Sequence, residues 1–65
     1  MKKIRNLKNK SVIILGSTGL IGKNIVDSFL ESGAQVIGVD LNNGLLKKQE
    51  NKYEDKSFET ICADI

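Results

Sequence analysis

Val12-Ile13-Ile14-Leu15-Gly16-Ser17-Thr18-Gly19-Leu20-Ile21-Gly22 is a run of buried-strand residues that turns through three glycines, three positions apart, into a helix. About eighteen residues further on, the second apolar run Val36-Ile37-Gly38-Val39 ends in Asp40. An apolar strand, a glycine turn, a periodic helix and an acid-terminated second strand are, in that order, the parts of a dinucleotide-binding βαβ unit. Each glycine has a separate physical task. Gly16 can leave the strand through backbone angles that a side chain resists. Gly19 lets the backbone approach a pyrophosphate where a β-carbon would collide, and Gly22 lets the helix pack tightly on the strand. The N–H groups freed at the helix start then face the phosphates, with the helix dipole behind them. Ser17 and Thr18 add hydroxyls that either bond phosphate oxygens or brace the turn. Leu20 and Ile21 complete the expected cradle from Gly16 to Gly22.

Asp40, at the end of strand two, can accept hydrogen bonds from the adenosine ribose hydroxyls. Its charge repels a 2′-phosphate, which favours NAD over NADP, and no arginine stands at Thr18, Leu41 or Asn42 to reverse that preference. Leu41 is taken with Asp40 as part of the cofactor site. Asp64 ends strand three in a similar position, where it either lies along the adenine or is an exposed terminus. A rival phosphate motif fails on its residues. Gly22-Lys23-Asn24 resembles the end of a P-loop, but the required first glycine falls at Ser17 and Asn24 replaces the magnesium-binding hydroxyl. Lys23 either reaches a phosphate or is solvated.

Composition narrows the rest. A chain of 65 residues is one small domain that buries only about 60% of its unfolded surface. One cysteine and no histidine exclude a disulfide framework and a His-based metal site. Neither a metal ligand set nor a catalytic residue is identified. Net charge is +2, but Lys2, Lys3, Arg5, Lys8 and Lys10 crowd the start. That basic stretch reads as a solvated lead-in rather than a nucleic-acid arm, because no aromatic residue is interleaved to stack on bases. The apolar run at 12–15 is broken by Gly16 to Gly19, so neither a secretory signal nor a membrane span is expected. The expectation is a cytoplasmic protein.

The organisation predicted is a polar lead-in over 1–10, with Ile4 and Leu7 available to pack inward, followed by a partial dinucleotide-binding domain over 11–65. Strand one spans Ser11 to Leu15 and suits a central strand buried on both faces. A helix from about Leu20 to Ser32 carries Ile21, Ile25, Val26, Phe29 and Leu30 as one apolar stripe, and Gly33 stops it in a left-handed conformation. Strand two runs from Gln35 to Val39. Asn42 or Asn43 caps a short second helix over Leu45 to Glu50. Lys47 to Lys56 reads as the exposed end of that helix and a loop. Strand three covers Phe58 to Cys62, with Phe29 and Phe58 in the core and Cys62 a buried, inert thiol. The order is β-α-β-α-β, the amino-terminal half of a doubly wound parallel sheet of α/β class. One such run cannot cover both sheet faces, which points to the opening segment of a longer protein.

These residues resemble the short-chain dehydrogenase/reductase superfamily. Gly16-Ser17-Thr18-Gly19-Leu20-Ile21-Gly22 looks like the Gly-x-x-Gly-x-x-Gly turn of its extended branch, which holds many nucleotide-sugar epimerases and dehydratases. Asp40 matches the family's NAD-selecting acid. Ala63-Asp64-Ile65 looks like its adenine-contacting pair, which implies Asp64 and Ile65 as cofactor contacts. Leu15 stands where a threonine is common. The resemblance runs from Ser11 onward and covers only the cofactor half of such an enzyme. Family catalysis rests on a serine or threonine and a Tyr-x-x-x-Lys pair. Tyr53 is followed by lysine at the third position, Lys56, with Ser57 at the fourth, so it is not that tyrosine.

The resemblance implies NAD as cofactor and hydride transfer on a carbinol or carbonyl of a small molecule, a sugar or nucleotide sugar among the options. Neither a nucleic-acid nor a membrane partner is implied, and an oligomer is compatible with the full-length form. The alternatives are a non-catalytic dinucleotide sensor or scaffold, and an inactive fragment.

Overall fold

The computed structural model describes residues 6–64. Lys2, Lys3, Ile4, Arg5 and Ile65, all named above, lie outside the described residues. The elements alternate as β1 (Ser11–Leu15), α1 (Leu20–Glu31), β2 (Gln35–Asp40), α2 (Asn43–Lys52) and β3 (Phe58–Cys62). The strands form one parallel sheet in the order β1-β2-β3. Ile13 is in register with Ile37 and Glu59, and Leu15 with Val39 and Ile61. This is the expected α/β half-sheet.

Both crossovers step in the same direction, and crossovers between parallel strands share one hand. The two helices therefore lie on the same face of the sheet. Ile14 and Val36 are buried there with Val26 of α1, Ala34 and Tyr53, and Val12, Ile25, Phe29, Leu30 and Phe58 pack around them. The other face carries no helix: Ile13 is 64% exposed, Leu15 60% and Ile61 52%, although Val39, in register between Leu15 and Ile61, is buried. This corrects the expectation that β1 is buried on both sides. Its continuous apolar run is covered on one face only, because both helices are spent on that face.

α1 forms because Val26, Ile25, Phe29 and Leu30 recur on one face; complete burial of Val26 contributes about 2 kcal/mol. Ile21 departs from the expected stripe and is 74% exposed. The end is as expected. Gly33 takes φ +91°, and the N–H groups of Gly33 and Ala34 donate to Leu30 and Phe29 carbonyls at 3.0 and 3.1 Å, a paired left-handed closure. The lead-in is tied on by Leu7, half-buried, whose N–H donates to the Ser32 carbonyl at 2.6 Å.

α2 starts under Asn42, whose Oδ1 accepts from the Leu45 N–H at 3.0 Å. It runs to Lys52, past the expected end at Glu50. The stretch read as an exposed helix end and loop is in fact anchored, because Leu46, Gln49 and Tyr53 fall on one helical face and are all buried. Tyr53 packs edge-on to Phe58 with ring centroids 5.3 Å apart, and its hydroxyl donates to Asp27. Burial first, then that carboxylate, pushes the Tyr53 phenol above its ordinary range. Cys62 also departs from expectation: it is exposed, because it ends an edge strand, and its Sγ–H donates to the Leu41 carbonyl at 3.2 Å.

Among the described residues no helix is long and apolar enough to cross a membrane.

Candidate functional site

The carboxyl ends of the strands carry the glycine turn. Gly16 takes φ +73°, the left-handed region that a β-carbon disfavours. Its N–H donates to the Val39 carbonyl at 2.7 Å, which ties the turn to the end of β2. The Gly19 N–H donates back to the Gly16 carbonyl at 3.1 Å, closing the turn.

The other two glycines answer to different neighbours. A β-carbon at Gly22 would stand 2.1 Å from the Gly16 carbonyl oxygen, so the first helical turn rests directly against the glycine turn. The close packing expected of Gly22 is thus made on the turn more than on the strand. A β-carbon at Gly19 would meet only the Gly16 oxygen, at 3.4 Å. Nothing within the chain forbids a side chain there.

At the start of α1, Gly19 offers no side-chain cap. The first helical bond is from the Lys23 N–H to the Gly19 carbonyl at 2.9 Å. The amides of Leu20, Ile21 and Gly22 have no hydrogen-bond partner among the described residues. These are the donors that a helix leaves at its positive end, a ready site for an anion. Leu20 and Ile21 stand exposed beside them.

The Thr18 hydroxyl braces the turn, whereas the Ser17 hydroxyl is buried with no partner among the described residues. Thr18 Oγ1–H donates to Asp40 Oδ2 at 2.5 Å and its N–H donates to the same oxygen at 3.1 Å. The Leu41 N–H donates to Asp40 Oδ1 at 2.8 Å. The Thr18 hydroxyl first, then the Thr18 and Leu41 amides, hold the Asp40 carboxyl below its ordinary value of 3.8, since each bond favours the ionised form. Asp40 is half-buried. Ala63 N–H donates to the Asp40 carbonyl at 3.0 Å, so exposed Asp64 follows at the same edge; Ile65 is not described.

Two contributors were not singled out from the sequence. Ser17 is completely buried, and a β-carbon at Gly38 would stand 2.5 Å from its Oγ. Gly38 therefore makes room for the underside of the turn; a glycine inside a strand is the signal that could have found it. Gln49 of α2 is buried, and its Nε2–H donates to the Ser17 carbonyl at 2.8 Å. No sequence signal marks Gln49, which lies 32 residues from its partner.

A groove of about 180 Å³ between α1 and α2 opens beside Thr18, with Lys23, Lys48 and Lys52 among its lining residues. A larger hollow of about 300 Å³ lies at the strand starts, lined by Ser11, Gln35 and Ser57, at the opposite edge from the glycine turn.

A parallel half-sheet with an uncapped helix beyond its first strand and a carboxylate ending its second defines a dinucleotide-binding segment of Rossmann type. The family model described as NAD dependent epimerase/dehydratase family matches residues 12–64, and the chain belongs to that family, within the short-chain dehydrogenase/reductase superfamily. Its cofactor class is a nicotinamide dinucleotide, NAD or NADP.

Among curated relatives, 3beta-hydroxysteroid dehydrogenase 2 of Eggerthella lenta is 40% identical over 62 residues, which cover 91% of this chain and 24% of that protein. Diacetyl reductase [(S)-acetoin forming] of Staphylococcus epidermidis is 30% identical over 54 residues, 83% of this chain and 21% of that protein. The chain thus spans less than a quarter of the length of these relatives. Among solved structures, a short chain dehydrogenase from Mycobacterium smegmatis superposes with a TM-score of 0.85 over 98% of this chain and 28% of that one, at 24% identity; that likeness carries the fold.

Proposed function

We propose that the chain is the cofactor-binding opening of an NAD-dependent short-chain dehydrogenase or reductase. The observation that supports this most is the start of α1: three amides unpartnered among the described residues, under a glycine whose side-chain position meets the chain only at the Gly16 carbonyl oxygen, 3.4 Å away. On this reading the Leu20, Ile21 and Gly22 amides receive the pyrophosphate, and Gly19 provides the clearance it needs. Gly16, Ser17 and Thr18 hold the cradle in shape from beneath. Asp40 receives the adenosine ribose hydroxyls and disfavours a 2′-phosphate, which selects NAD. Leu41, Asp64 and Ile65 form the adenine side.

When bound, the nicotinamide ring supplies or accepts a hydride, and the protein supplies orientation and electrostatics. The second reactant of the full-length enzyme is a carbinol or carbonyl compound of the cytoplasm, a sugar or nucleotide sugar among the candidates. None of this chain's residues is assigned a catalytic role. Tyr53 is committed to the core and to Asp27.

Calorimetric titration of the chain with NAD and NADP tests the reading. Saturable binding that favours NAD is expected, with both ligands lost in Gly19→Val and the preference narrowed in Asp40→Ala. Absence of saturable binding of either ligand to the unsubstituted chain overturns it.

A further inference from the structure

The peptide unit joining Ser17 to Thr18 is held at both ends by side chains from other elements. Its carbonyl accepts from Gln49 Nε2 at 2.8 Å, and its N–H donates to Asp40 Oδ2 at 3.1 Å. α2 therefore grips one end and β2 the other of a single planar group, whose C=O and N–H point in opposite directions. Rotation of that plane breaks both bonds at once. We propose that Gln49 is a positioning residue for the dinucleotide site: it fixes the Ser17–Thr18 peptide plane and, through it, the placement of the Asp40 carboxylate beside the open start of α1. The proposal rests on the cofactor reading above.

Packing alone does not account for a glutamine here. Gln49 is buried within a helix whose other buried side chain is Leu46, and its Oε1 has no partner among the described residues. An apolar side chain of similar length would fill the space without stranding that acceptor, and a stranded buried acceptor is destabilising. What the amide adds is a donor directed at one carbonyl of the glycine turn. The turn is otherwise soft at this point: Ser17 Oγ, also buried, has no partner among the described residues, and the Ser17 N–H reaches the Val39 carbonyl only at 3.4 Å. The Thr18 N–H is among the donors that keep Asp40 ionised, so a change at Gln49 is readable at that amide.

Gln49→Met separates positioning from packing. It strands the Ser17 carbonyl but removes the already stranded Oε1, so the count of partnerless buried acceptors is unchanged. The melting temperature is expected to stay within about 3 °C of the parent chain. NAD affinity is expected to fall by about tenfold, the value of one well-directed hydrogen bond. The Thr18 amide proton resonance of the ligand-free chain should move upfield as its bond to Asp40 loosens. Gln49→Glu, similar in shape but without a donor when ionised, should lose affinity as well.

Unchanged affinity together with an unchanged Thr18 resonance in Gln49→Met overturns the proposal. So does a drop in melting temperature large enough to account for the lost affinity, which would assign Gln49 to the core. Failure of the parent chain to bind NAD sinks the cofactor reading instead, and the ligand-free Thr18 resonance still decides whether Gln49 sets the turn.

Discussion

α2 enters under Asn42, whose side chain closes the first turn on the Leu45 amide, whereas α1 enters under Gly19 and closes nothing. A side-chain cap contributes about 1 kcal/mol, and the chain forgoes it at the helix that follows the glycine turn. The two starts also differ in crowding. Gly22, in the first turn of α1, is pressed against the Gly16 carbonyl, while Gly44, in the first turn of α2, has only Asn42 Oδ1 at 3.4 Å. One helix start is finished by its own sequence. The other is built tight beneath and open outward, which is the arrangement of a receiving surface.

The largest expected effect breaks the crowding at α1. Gly22→Ala forces a methyl group onto a backbone carbonyl and should cost about 3 kcal/mol in urea unfolding, with NAD binding lost alongside. Gly44→Ala should be neutral or should stabilise by up to about 1 kcal/mol; equal losses at both sites would erase the distinction.

Next, Gly19→Asp gives α1 the cap that it lacks. Stability should rise by about 0.5 kcal/mol, while calorimetric NAD affinity falls by about a hundredfold or more as a carboxylate occupies the anion's place. Retained affinity would show that the open amides are not the phosphate site. Asn42→Ala reverses the experiment at α2: about 1 kcal/mol of stability is lost, with NAD affinity unchanged.

The smallest effect concerns acid. Asp40 is held below 3.8 in the folded chain, so the native state binds this proton less readily than the unfolded state. Its contribution is complete above that value and disappears as pH falls through the lowered one. Melting temperatures from about pH 5 down to pH 2 should therefore decline less steeply in Asp40→Asn than in the parent chain.

Local patterns made much of this legible from sequence. Ser11–Leu15 and Phe58–Cys62 are the strands that the apolar runs predict, Gly33 ends α1 as its position suggests, and Asn42 is one of the two caps considered. The features that sequence left hidden are those in which chemistry and periodicity disagree. Leu46, Gln49 and Tyr53 share a helical face, but only the leucine announces burial, so a charged stretch concealed an inward stripe. Ile13 and Leu15 read as buried because their apolar character does not say which face the helices take. The pairing of Thr18 with Asp40 spans 22 residues, beyond the reach of any turn or helix rule, although each residue was separately marked for the site.

The contact between Gly22 and the Gly16 carbonyl makes turn and helix one mechanical body. Val26, on the same helix, is sealed in the core, so a ligand that immobilises the turn also restrains the helix that carries the interior. Mass action then links occupancy to cohesion: a ligand held only by the native state, at a hundred times its dissociation constant, adds about 2.7 kcal/mol against unfolding. A half-sheet with helices on one face only has much to gain from such a tether.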